Sequence, residues 1–149
     1  MKESMRYLVA FILVISGLGI FATTRIECGQ EDPAKKLLGQ WTVADKYGKG
    51  DGEAEFKADM TYILKEIHPD GTAVTHNGEY RLDSSAEPFA IDLCVGKFSS
   101  AGSEWVTTFG ILRFISNDEA EIHFDPSGNR AASFEGATTE NTHKLTRKK

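Results

Sequence analysis

Histidine has the widest chemical range of any side chain here, and the chain of 149 residues carries four: His68, His76, His123 and His143. Imidazole serves as metal ligand, general base or pH-dependent charge. The spacing of these four assembles none of those roles. No two form a His-x-His or His-x3-His pair. His68 and His76 flank one turn and can approach each other there, but a metal site needs further ligands. Surface residues at a turn edge are the simpler reading. His123 sits between Ile122 and Phe124, so in an extended segment it faces away from both and is expected in solvent. Carboxylates are plentiful. Glu119, Glu121 and Asp125 share one face of a candidate strand, and Glu79, Arg81 and Asp83 share another. Glycoside chemistry needs two carboxylates across a cleft. Alternating charged positions are more simply the wet face of a sheet. Ser99, Ser100 and Ser103 lie in a small-residue loop without a nucleophile elbow. Tyr47-Gly48-Lys49-Gly50-Asp51-Gly52 lacks the Gly-Lys-Ser/Thr ending of a phosphate-cradling loop. No catalytic residue, metal or cofactor is assigned, and the reading is non-enzymatic.

The two cysteines are Cys28 and Cys94. Cys94 lies in Phe89-Ala90-Ile91-Asp92-Leu93-Cys94-Val95, where period-2 alternation puts Phe89, Ile91, Leu93 and Val95 on one face. Cys94 then falls on the outer face, within reach of an N-terminal arm. A Cys28–Cys94 disulfide and two unpaired thiols are both compatible with this placement. Lipidation at Cys28 is disfavoured, because Arg25 and Glu27 stand where small residues belong.

The N-terminus decides the compartment. Lys2 and Arg6 precede an apolar run from Tyr7 to Ala22, the pattern of a secretory signal. The run is near the ~20 residues needed to span a bilayer. Residues 1–24 therefore read as a signal peptide or a single-span apolar helix tethering the chain through residues 7–22. Both place the remainder outside the cytoplasm, secreted, periplasmic or membrane-anchored. The formal charge is −5, and Lys2 and Arg6 against Glu3 leave the part from Arg25 onward at −6. An acidic domain without a basic run repels phosphate backbones, which excludes nucleic acid as the expected partner.

The rest is patterned for strands. Residues 25–36 read as a linker in which Asp32-Pro33 opens one short helical turn. From residue 37 to 149, eight to ten short apolar-alternating runs are separated by turn residues, as in a sandwich or barrel. Trp41 and Val43 share a face, as do Tyr80 and Leu82, and Ala120, Ile122 and Phe124. Glu55–Met60 and Thr61–Ile67 are strand candidates after a loop over 46–53. Pro69-Asp70-Gly71 predicts a tight turn. Asn77-Gly78 carries the preference of a type I′ hairpin. Gly110, inside a long strand from Trp105 to Ile115, suggests a bulge. Ala131–Phe134 and His143–Arg147 read as closing strands.

Leu38-Gly39-Gln40-Trp41 opens the first strand in the Gly-x-Trp manner of lipocalins. Asp70-Gly71-Thr72, Gly78-Glu79-Tyr80-Arg81-Leu82-Asp83 and Pro88-Phe89-Ala90-Ile91-Asp92-Leu93 follow, and the chain closes with Gly128-Asn129-Arg130-Ala131-Ala132-Ser133-Phe134 and Lys144-Leu145-Thr146-Arg147. In this order the segments resemble the lipocalin-like domains of uncharacterised bacterial secreted proteins, over Leu37 to Lys148. Those domains often have proline where Ala131 stands. The resemblance implies a small antiparallel up-and-down β-barrel of about eight strands. It also implies structural roles for Gly39 at the strand entry, Trp41 as an end plug, Arg147 stacked on the indole, and Arg130 in the closing motif. Candidate barrel-lining residues are Tyr62, Leu64, Tyr80, Leu82, Ile91, Leu93, Leu112 and Phe114. They suit either a cavity for a small apolar or amphipathic ligand or a barrel filled by its own side chains. The second case would make the domain a structural or protein-interaction module at the cell surface.

Overall fold

The computed structural model describes residues 31–44, 51–68, 70–102, 106–137 and 141–149. The N-terminal apolar segment, Cys28 and the proposed strand start at Trp105 lie outside the described residues. The chain from Glu31 onward forms one compact unit. It opens with a single turn of helix, α1 (Pro33–Leu37). Asp32 caps it, its side chain accepting the Ala34 amide at 3.0 Å, and Pro33 takes a position where no amide is needed.

Eight strands follow: β1 (Gly39–Ala44), β2 (Asp51–Phe56), β3 (Thr61–Ile67), β4 (Ala73–Asp83), β5 (Phe89–Val95), β6 (Thr107–Phe114), β7 (Glu119–Phe124) and β8 (Thr142–Arg147). Each pairs antiparallel with its neighbour in sequence, and β8 returns to β1 with Trp41 opposite Arg147 and Val43 opposite Leu145. The sheet is thus a closed up-and-down barrel. Closure satisfies the amides and carbonyls that an edge strand would leave unpaired. Alternation does the rest: Trp41, Ala54, Phe56, Tyr62, Tyr80, Ile91, Leu112, Ala120, Ile122 and Leu145 all point inward and are buried.

Four connections use one device. Asp59, Asp70, Asp83 and Asp125 each accept the amide two residues on, and the first three also accept that residue's hydroxyl at 2.6 Å. These hydrogen bonds, first the side-chain and then the backbone ones, hold all four carboxyls below the usual aspartate range. Each turn is thereby locked by a charged acceptor on the solvent side.

Several sequence expectations are corrected. Asn77-Gly78 is not a hairpin but the middle of β4, whose start is laddered to β3 and whose end is laddered to β5. Glycine is required there because a Cβ on Gly78 would lie 1.8 Å from the Cys94 carbonyl oxygen. Gly110 is in regular register, opposite Ile91 and Phe124, with no bulge. Its missing side chain makes room for the Phe124 ring, which a Cβ would meet at 2.6 Å. The loop expected over 46–53 gives way to β2 at Asp51. Ala131–Phe134 is not a strand; it belongs to the long β7–β8 connection. Short apolar runs satisfy strand patterning, but this one is used to cover the outside of the sheet.

One end of the barrel is sealed. Trp41 is fully buried, and its Nε1 donates to the Leu37 carbonyl at 2.8 Å. Arg147 lies with its guanidinium carbon 4.2 Å from the indole centroid. The same guanidinium donates to the carbonyls of Leu38 (2.8 Å), Lys36 (2.6 Å) and Asn117 (3.2 Å). Gly39 turns between them at φ +109°, where a Cβ would stand 3.3 Å from the Arg147 Nη1. Arg147→Lys keeps the charge but loses the planar fork. We expect it to cost about 1–3 kcal/mol, from the hydrogen bonds made by a charged donor. The readout is a lower urea midpoint with an unchanged slope. The four lowered carboxyls give a second expectation. Because their folded pKa values lie below the unfolded ones, their stabilisation is present above about pH 4 and lost on acidification. Changing all four to Asn should reduce the drop in urea midpoint between about pH 5 and pH 3.

Candidate functional site

Sealing one end leaves the other to be filled or left open. The sealed end holds the starts of odd-numbered strands and the ends of even-numbered ones. There α1 places Leu37 at zero exposure and Lys36 Nζ 4.8 Å above the Phe114 ring. Phe89 and Phe114 pack with ring centroids 6.2 Å apart. Phe56 and Tyr80 meet edge to face at 5.2 Å, and the Tyr80 hydroxyl donates to the Lys57 carbonyl at 3.0 Å. These aromatic layers are a floor.

Above the floor lies a cavity of about 510 Å³. Its wall is built from the ends of odd-numbered strands and the starts of even-numbered ones. Val43, Ala54, Leu64, Leu93, Ile122, Phe124 and Leu145 make it predominantly apolar. Phe56 and Tyr62 reach it from the floor. Volume and lining are those of a pocket for a small organic molecule. The ionisable groups are gathered toward the mouth: Glu66 near the end of β3, His68 in the following turn, His76 early in β4 and His143 early in β8. His76 Nε2 is 3.8 Å from a Glu66 carboxylate oxygen. His143 packs its ring against Phe124 at 5.8 Å. Tyr62 is 4% exposed, lines the cavity, and donates its hydroxyl to no acceptor among the described residues. Burial, with a smaller contribution from the Cys94 thiol, raises its pKa, so the hydroxyl stays a neutral donor.

The structure divides the candidate lining residues. Tyr62, Leu64 and Leu93 line the cavity. Tyr80, Ile91 and Leu112 are buried in the packed half, and Leu82 and Phe114 pack against it. Alternation separates inside from outside but does not say which end of a strand is plugged. His76 is half-buried rather than a fully exposed residue at a turn edge. It occupies an inward register position opposite Leu64, and His143 does so opposite Ile122. Strand direction relative to Trp41 was the signal that could have found them.

The outer face also departs from expectation. His123 is 5% exposed, not solvated. The β7–β8 connection folds over it, with Phe134 6.2 Å from its ring, and Thr142, its partner at the start of β8, places Oγ1 3.1 Å from Nδ1. Arg113 stacks on Phe134 at 4.1 Å and pairs with Glu121. Arg130, from the same connection, donates to the Gly110 carbonyl at 2.8 Å and pairs with Asp92. No group of three or more His, Cys, Asp or Glu suited to a metal occurs among the described residues.

Cys94, expected on the outer face within reach of an N-terminal arm, is a fully buried free thiol. It does point outward, paired with Glu79 and Thr107. The β5–β6 connection returns over that face, where the Phe98 amide donates to Glu79 and its ring lies 3.9 Å beneath Arg81. In a Cys28→Ser chain, Cys94 should react with a thiol reagent only upon unfolding. Rapid labelling of the native protein would place the thiol at the surface.

No family model, no curated protein and no solved structure matches this chain.

Proposed function

We propose that the protein is a non-enzymatic, extracytoplasmic binding module that holds a small apolar or amphipathic ligand inside its barrel. One observation carries the reading: an apolar cavity of about 510 Å³ persists above a fully packed floor. An eight-stranded barrel has an interior that side chains alone can fill. Here the mouth-side half is left unfilled although Val43, Leu64 and Leu93 already occupy it. Apolar walls of this kind gain dispersion contacts from an apolar ligand. The extracytoplasmic placement rests on the Lys2/Arg6 flank and the apolar run over 7–22. The lipocalin-like ordering of Gly39-Gln40-Trp41 and the later segments agrees with a carrier role.

Native mass spectrometry of the protein purified from the cells that make it should show a second, heavier species carrying a small molecule. Recovery of the bare mass alone counts against the reading and favours a structural or protein-interaction module. Leu93→Trp places an indole in the cavity. It should lower affinity for an apolar fluorescent probe about tenfold or more, an effect of ~1.4 kcal/mol. Val43→Phe, on another strand, should act in the same direction if the first variant folds poorly. Unchanged probe binding in both folded variants would place the probe elsewhere.

A further inference from the structure

Two of the imidazoles at the cavity mouth stand at inward positions of the sheet. Inward register positions in this barrel are apolar almost throughout, because they face the dry interior. His76 and His143 break that pattern, half-buried on β4 and β8, each opposite an apolar lining residue. His68 adds a third imidazole from the β3–β4 turn. The three come from separate elements and converge on one opening. Imidazole is the side chain whose charge changes between about pH 5 and pH 8.

We propose that the cavity's ligand is a single-chain amphiphile with an anionic head. Its chain lies among Leu64, Leu93, Ile122 and Leu145, and its head lies at the rim formed by His68, His76 and His143. The proposal deepens the ligand-binding reading and rests on it. Charge decides the direction. Among the described residues, the acidic groups facing the imidazoles are Glu66, beside His76, and Asp70, whose carboxylate acts on His68 across the turn. With the imidazoles neutral, these carboxylates leave the described rim negative and an anionic head is repelled. Protonation of the imidazoles adds positive charge to that rim and favours an anionic head. Glu66 is exposed and stands farther out, whereas His76 and His143 adjoin the apolar wall, so a head group continuous with a buried chain meets imidazole first. Capture therefore strengthens in mild acid and release follows neutralisation.

The test is isothermal calorimetry on the full chain at about 0.15 M salt, where charges beyond ~8 Å are screened. Dodecane-1-sulfonate keeps its charge across the range, so only the protein titrates. Its affinity should rise about tenfold or more between about pH 8 and pH 6. Dodecanol should bind with little pH dependence. His76→Gln and His143→Gln together should flatten the sulfonate profile while leaving dodecanol binding intact, which also reports that the variant is folded. Should the variant fail to fold, the sulfonate and dodecanol profiles of the unaltered chain decide the matter. A flat sulfonate profile alongside dodecanol binding overturns the anionic head and leaves the cavity reading standing. Tighter binding of dodecyltrimethylammonium than of the sulfonate at about pH 6 does the same. If neither dodecanol nor the sulfonate binds at any pH, the ligand-binding reading falls and takes this proposal with it.

Discussion

The guanidinium of Arg147 holds the sealed end of the barrel together. It stacks on Trp41 and gives hydrogen bonds to carbonyls of Lys36 and Leu38, which lie at and just beyond the C-terminal end of α1. Carbonyls at a helix end have no partner within the helix, and a cation is their best partner. A stacked cation adds about 0.5–2 kcal/mol. The same side chain belongs to β8, whose pairing with β1 closes the sheet. One residue thus joins the last strand to the first, roofs the indole and pins the N-terminal turn across the barrel end. Because the plug occupies that end, the opening has only one place to be.

The barrel wall is covered on part of its outer surface as well as packed within. Arg130 and Phe134 bring the β7–β8 connection against β5, β6 and β7, and Ile111 and His123 are buried beneath it. Phe98 does similar work near Cys94. In each place an arginine covers an aromatic ring from the solvent side, Arg113 over Phe134 and Arg81 over Phe98. Guanidinium suits the task because it stacks flat and remains charged. The loops therefore add apolar burial that a simple meander would lack.

Polar groups inside the barrel follow depth. At the floor, the Tyr80 hydroxyl is satisfied by a backbone carbonyl. Midway, Tyr62 presents a neutral donor to the cavity. At the mouth, imidazoles and a carboxylate meet solvent. Charged groups cost least where water still reaches them, and an interior graded in this way suits a ligand that is apolar at one end and polar at the other.

The amino-acid sequence by itself determined the fold class: period-2 alternation from Trp41 to Leu145, punctuated by Asp-containing turns, admits a sheet with one dry face, a sandwich or a barrel, and the resemblance to lipocalin-like domains pointed to the barrel. The grouping of Trp41, Gly39 and Arg147 came from the resemblance to lipocalin-like domains, not from spacing. Alternation is a local property, however, and reports only which side of a strand faces in. Which end of the barrel is plugged depends on strand direction and on pairing between residues as distant as Trp41 and Arg147. For that reason Tyr80, Ile91 and Leu112 fell in the packed half while Val43, His76 and His143 came to the cavity. Asn77-Gly78 carries a hairpin's local preference, yet the close approach of the Cys94 carbonyl, from a different strand, accounts for its glycine. His123 was expected in solvent, and Cys94 on an outer face open to an N-terminal arm, because alternation cannot tell an outer face open to water from one that a returning loop has covered. Tertiary structure decided those questions, since each turns on what arrives from elsewhere in the chain to occupy the space beside a residue.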